Sequence, residues 1–178
     1  MCQSEVMKLT DSLLAAYDKQ ITMEIEASLV YRQLAIVTAA ADLPGMAQWL
    51  RAQADEEIGH ANKFIDHILD RDQVPTIGAI AAPTVPVNGS PAEVFGAALA
   101  HEEKVSKAIR ELYLAAEKAG DLDSRPLLNW FLEEQIEEEA TVREILGQLR
   151  MVGDDGVGLL RLDSELGARR DGTTASPE

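Results

Sequence analysis

Along four long stretches of the chain, apolar residues recur at alternating intervals of three and four, the spacing of one buried stripe on a helix. The first stretch runs from about Glu5 to Ala41, with Tyr17, Ile21, Ser28, Tyr31 and Ala35 on its seam. The second runs from Pro44 to Asp72 through Leu50, Gln53, Phe64 and His67. The third follows Ser90 through Phe95, Ala98, Val105, Ile109, Leu112 and Ala116 and ends near Gly120. The fourth starts within Asp123-Ser124-Arg125-Pro126 and continues through Leu128, Phe131, Val142, Ile145 and Leu149 to about Met151. Ser90, Pro91 and Glu93 predict an N-cap, a first helical residue and the return acceptor of a capping box. Pro44 suits the first turn of the second helix. Between the second and third stretches, Pro75, Pro83, Pro86 and Asn88-Gly89 exclude a helix. The pattern predicts an all-α protein: a four-helix bundle of two antiparallel hairpins joined by one long crossover, plus a short fifth C-terminal helix. The crossover is expected to bring the third helix to the end of the bundle where the first began. The fifth helix carries Leu159, Leu160, Leu162 and Leu166, a stripe expected to pack on other subunits. One domain is expected over residues 1–168, with a disordered polar tail at 169–178.

Polar residues interrupt each seam near its middle. They are Glu24 in the first, Glu57 and His60 in the second, Glu102 in the third, and Gln135 and Glu138 in the fourth. Glu57 and His60 follow Glu24 at the same intervals at which Gln135 and Glu138 follow Glu102. Residues three apart share a helix face, so each pair aims at one region. An ionised carboxylate in an apolar interior costs several kcal/mol unless a charge compensates it. Divalent cations supply that charge. Carboxylates with one imidazole and no thiolate suit iron or manganese, and zinc less readily. Two ions sharing Glu57 would stand about 3.5–4 Å apart.

Composition narrows the class. The chain is 46% hydrophobic but only 4% aromatic, which favours helices over sheets. A formal net charge of −15 excludes a nucleic-acid binder and suits a protein that attracts cations, although most of that charge solvates helix faces. The single cysteine, Cys2, permits no disulfide within the chain and no Cys-x-x-Cys metal knot. No apolar run reaches the roughly 18 residues of a membrane span. Met1–Thr10 lacks the blocks of a signal peptide, so a cytoplasmic location is expected.

The interrupted seams carry a family resemblance. Glu24 with Tyr31, Asp55-Glu56-Glu57-Ile58-Gly59-His60, His101-Glu102-Glu103 and Trp130-Phe131-Leu132-Glu133-Glu134-Gln135-Ile136-Glu137-Glu138-Glu139 resemble the bacterial non-haem ferritins. The likeness extends from about Lys8 to Leu166. It implies a ferritin-like bundle with a di-iron centre. A first iron would be held by Glu24, Glu57 and His60, and a second by bridging Glu57, Glu102 and Glu138. Gln135 would lie beside them, close to the second ion's ligands or to the bound oxidant. The resemblance places a third iron at Glu56, Glu134 and Glu137, though a dense acidic run is also what a solvated helix face looks like. Tyr31 is either an electron donor or hydrogen-bond partner at the centre, or a core tyrosine with a satisfied hydroxyl.

The second Glu-x-x-His of related bacterioferritins is here Gln135-x-x-Glu138, and Ile58 stands where they carry a haem-ligating methionine. Haem is therefore not expected. The resemblance implies an iron-storage ferroxidase that passes electrons from Fe(II) to dioxygen or hydrogen peroxide and keeps the ferric product as mineral. It also implies a cage of 24 identical subunits. Bacterioferritin-like and rubrerythrin-like di-iron proteins are the alternatives, and with one cysteine the chain cannot carry the Cys-rich module of the latter. His67 reads as structural, His101 as a surface or supporting residue, and Trp49 and Trp130 as packing. Where animal-type members place acidic residues at a threefold entry, this chain has Arg125 and Leu128, with Asp121 and Asp123 nearby as substitutes.

Overall fold

The computed structural model describes residues 8–169. Five helices follow one another: α1 (Asp11–Ala40), α2 (Pro44–Leu69), α3 (Pro91–Ala119), α4 (Arg125–Val152) and α5 (Gly156–Ala168). The all-α expectation and the division into four long helices and one short one hold. Boundaries move where local chemistry decides them. α1 starts at Asp11 because Thr10 turns extended and its hydroxyl accepts from the Leu13 amide. The expected start at Glu5 lies outside the described residues, as do Cys2 and positions 170–178 of the expected tail. α2 stops at Leu69, three residues before the expected end, and Asp72 adopts φ 55° in the following turn. The Ser90–Glu93 capping box forms with both bonds present, with Pro91 in the first turn. Gly120 ends α3 at φ 72°, a left-handed conformation that costs glycine nothing.

The run of the helices corrects one expectation. Hydrogen bonds from the crossover climb along α1: Leu9 binds Gln73, Thr76 binds Asp18, and the Gly78 amide donates to Thr22. The start of α3, at Val94 and Phe95, then packs with the end of α1 (Leu34, Val37) and the start of α2 (Met46, Trp49). The third helix thus begins where the first ends. A direct connection would have started α3 beside the beginning of α1; a crossover spanning the bundle reaches the opposite end.

The seams read from the sequence are the buried faces. Every seam residue named above is buried except His67, which is half-buried. The apolar core is split in two. One cluster holds Tyr31, Leu34, Trp49, Phe95, Val142 and Ile145. The other holds Tyr17, Ile21, Phe64, Val105, Ile109 and Phe131. In each long helix the polar interruption falls between its contributions to the two clusters.

α5 docks within its own chain. Leu162 and Leu166 are buried, Leu166 completely, in the cluster with Met46 and Trp49. Asp163 accepts from the amides of Gly45 (3.1 Å) and Met46 (2.7 Å), placing a carboxylate on the open N-terminus of α2. Gly45 makes this possible: a Cβ there would stand 1.8 Å from the Asp163 carbonyl oxygen. The stripe expected to need another subunit is therefore half consumed, leaving Val157 and Leu160 exposed.

Candidate metal centre

Glu24, Glu57, Glu102, Gln135 and Glu138 are at most 7% exposed, and His60 is 2% exposed. Each comes from the middle of a long helix, where the apolar stripe around it forces the seam inward. Glu24, Glu57 and His60 each bring a ligand atom within 4.8 Å of the others. A second group with the same closeness is Glu56, His60, Glu134 and Glu138. His60 belongs to both, so the two groups form one continuous acidic pocket. Glu137 stays outside it, exposed on α4, near enough to Glu134 to oppose its ionisation.

The carboxylates are held from behind and left open in front. Gln20 Nε2 donates to Glu24 Oε1 at 2.7 Å, while Glu24 Oε2 meets no donor. Tyr31 donates its hydroxyl to Glu102 Oε1 at 2.6 Å, while Glu102 Oε2 meets none. Gln53 Nε2 donates to Glu56 Oε2 at 2.7 Å. Buried polar atoms without partners are rare in folded proteins. The orphaned Glu24 belongs with Glu57 and His60 to a donor set that a cation would complete, while Glu102 lies outside both groups but near enough to Glu57 and Glu138 to oppose their ionisation. His60 Nδ1 lies 3.3 Å from Glu57 Oε2, long for a hydrogen bond. Two atoms each about 2.1 Å from a common ion stand about 3 Å apart, so one ion spans that separation.

Electrostatics agree. Burial raises Glu24 to about 7, with the Gln20 hydrogen bond opposing it. Burial likewise raises Glu102 to about 7 against the Tyr31 bond. Glu57 and Glu138 rise well above the usual carboxylate range through burial, and then through the neighbouring carboxylates, Glu102 foremost. His60 falls to about 4 through burial and then through Lys63, so at neutral pH its imidazole keeps a lone pair for a ligand bond. Its ring is wedged edge-on against Trp130 and Phe131, both at 5.6 Å. Lys63 sits outside, 4.7 Å above the Trp130 ring. Tyr31 also packs edge-on to Trp49.

Other residues fall only in part as the sequence reads them. Tyr31 is fully buried and donates its hydroxyl to Glu102, a geometry that fits both of its readings. His101 is no surface residue: it is 9% exposed, with Nε2 unpartnered. His67 bonds Ser124 at 2.8 Å, a structural role. Asp121 is buried and paired with Arg71 at 2.7 Å, so it cannot line an entry path as a free acid; Leu128 is buried as well. Gln20 and Ser106 went unread in the sequence. The signal for Gln20 was its place one turn before Glu24. Ser106, one turn after Glu102, is small and falls just beside the seam.

With this fold and pocket in view, the similarities to known proteins are informative. The model of the ferritin-like domain matches residues 14–152. Bacterial non-heme ferritins align along almost their whole length. That of Bacteroides fragilis is 33% identical, covering 90% of this chain and 99% of its own. That of Staphylococcus epidermidis is 35% identical, covering 90% and 96%. The structure of an open pore ferritin from Archaeoglobus fulgidus superposes with a TM-score of 0.88 at 33% identity, covering 92% of this chain and 100% of that one. The chain belongs to the ferritin family. Among the described residues, no helix is long and apolar enough to cross a membrane.

Proposed function

We propose that this protein is an iron-storage ferroxidase. The observation that carries the reading is the band of buried carboxylates across the middle of the bundle, with orphaned oxygens and a neutral imidazole facing one pocket. Fe(II) is the substrate. Glu24, Glu57 and His60 hold one ion. Glu57 reaches across to a second, held with Glu102 and Glu138, and Gln135 stands beside it. Glu56 and Glu134 take a third ion on the outer side of the pocket, and exposed Glu137 adds negative potential along its approach. Two Fe(II) give up two electrons, which with two protons convert dioxygen to hydrogen peroxide or hydrogen peroxide to water. Fe(III) then leaves for storage as mineral.

The protein's part is positioning and charge. Gln20 and Tyr31 fix one oxygen of Glu24 and of Glu102 so that the other faces the ions. The carboxylates hold protons in the metal-free pocket and release them as ions enter, which neutralises the incoming charge. Storage requires an enclosure, and the family membership and the exposed Val157 and Leu160 of α5 support a cage of 24 copies. Such a cage would weigh about half a megadalton from 19.4 kDa subunits.

Stopped-flow oxidation of Fe(II) added in small steps tests the reading. The fast phase should saturate at two to three ions per subunit, and the protein should elute near half a megadalton. A rate no faster than that of Fe(II) in buffer would overturn the ferroxidase assignment.

A further inference from the structure

Aromatic rings wall the pocket, and a ring beside an oxidation site is itself a source of electrons. Tyr31 and Phe131 are fully buried, whereas Trp130 is half-buried on α4. The Trp130 ring meets His60 edge-on at 5.6 Å and Phe131 at 4.9 Å. His60 belongs to both ligand groups, so a single ring contact separates Trp130 from the ions.

The charges around this ring oppose one another. Glu134 and Glu137 follow Trp130 by four and seven residues, on the same face of α4. Their negative charge eases the loss of an electron from the indole. Against them stands Lys63, with its ammonium 4.7 Å from the ring centroid. A cation over an indole face is attracted by the electron density of the ring. When the ring loses an electron, that attraction becomes a repulsion between like charges. Lys63 therefore makes Trp130 harder to oxidise. It follows His60 by three residues, so the face of α2 that delivers the ligand also delivers the cation.

The need arises when electrons are odd in number. Hydrogen peroxide takes two electrons and, with two protons, becomes two waters. A centre holding two Fe(II) supplies both electrons. A centre holding one Fe(II) supplies one, and a side chain must give the other. From Trp130 this would be one electron and then the Nε1 proton, leaving a neutral indolyl radical, with the second proton drawn from water. The electron leaves first, so the step passes through a positively charged ring, the state that Lys63 opposes.

We propose that Lys63 guards Trp130, keeping the indole that touches His60 from giving up the odd electron when peroxide meets a half-filled centre. The lysine acts through the ring and touches no substrate. This rests on the ferroxidase reading above and extends it to low iron, where damage to the protein competes with oxidation of Fe(II).

The test loads the assembled protein anaerobically with less than one Fe(II) per subunit and adds hydrogen peroxide together with a nitroso spin trap. Peptide mass spectrometry locates the trapped radicals, and Fe(III) absorbance follows the iron. A Tyr31→Phe background removes the buried phenol as a competing donor. In that background Lys63→Met should raise the adduct at Trp130 by about two- to thirty-fold, the range of cation–π strengths written as a ratio. Lys63→Arg, which keeps a cation over the ring, should hold it at the low level. Trp49, buried on the far side of Tyr31, should stay unlabelled throughout. Equal Trp130 labelling with and without the lysine, while Fe(II) is oxidised at the usual rate, overturns the inference. So does a rise in Lys63→Arg equal to that in Lys63→Met, since shape rather than charge would then protect the ring. A joint rise at Trp130 and Trp49 also overturns it, because it reports a loosened fold. Fe(II) oxidation no faster than in buffer, in the unaltered protein, sinks the ferroxidase reading instead.

Discussion

At the end of the bundle where α2 finishes and α4 begins, Arg71 donates to both oxygens of Asp121, at 2.7 and 2.8 Å. Ser124 bridges Asp121 and His67. Charge is balanced and the carboxylate is saturated. Half-way along the same bundle, four buried glutamates oppose one another's ionisation, and Glu24 and Glu102 each keep one oxygen without a hydrogen-bond partner. Both groups are equally dry. Burial of polar residues therefore does not mark a functional site in this molecule; the sum of charge and the count of open oxygens do. The closed group is complete as folded, whereas the open one has the donor set to hold a cation.

The largest expected contrast is in activity. Glu57→Ala should slow aerobic Fe(II) oxidation by about 1,000-fold or more, about 4 kcal/mol of barrier, with assembly intact on a sizing column. Arg71→Leu should leave oxidation per folded subunit unchanged but cost about 3 kcal/mol of stability, because Asp121 is left buried without its partner. Denaturant melts measure this. The double variant Arg71→Leu, Asp121→Leu should recover most of the loss.

Metal-free stability should separate the two groups in sign. The folded values of Glu24 and Glu102, about 7, lie above the ordinary 4.5 of a carboxylate. The folded state therefore binds more protons than the unfolded one across that window. Stability falls as pH rises from about 4.5 to 7 and stays low above it. The loss should be on the order of 1–3 kcal/mol and should shrink in Glu102→Gln, as read from melts at pH 5 and pH 8 without metal. A redox-inert divalent ion should reverse the trend, because deprotonated carboxylates then have a partner. An Arg71→Leu variant should keep the pH trend, since the closed group does not produce it.

The smallest effect calibrates the rest. Asp42 ends α1 at φ 59°, a left-handed conformation, with a negative side chain at the negative end of the helix. Asp42→Asn relieves both and should add about 0.5 kcal/mol with no change in oxidation. A larger response from this remote turn would mean that stability shifts at the two buried groups cannot be read locally.

Much of the site could be read from the chain. Glu24, Glu57, His60, Glu102, Gln135 and Glu138 each interrupt a stripe whose period already says which way they face. Gln20 and Ser106 could not be read the same way: what makes them matter is the atom they touch, and both look like ordinary polar residues near a seam. Asp121 misled in the opposite direction. Its partner Arg71 comes from the turn after α2, far away in the sequence, and is invisible as a partner until the helices pack. The α5 leucines also misled, since whether a short stripe is buried at home depends on Gly45 leaving room for Asp163.

Periodicity, caps and prolines alone determined five helices, their inward faces and the acidic band among them, because those follow from the fixed pitch of a helix and from local backbone chemistry. Only the tertiary structure decided the direction of α3, the docking of α5 and which carboxylates are balanced. Each of these depends on distances between helices, and no local signal encodes what stands across the gap.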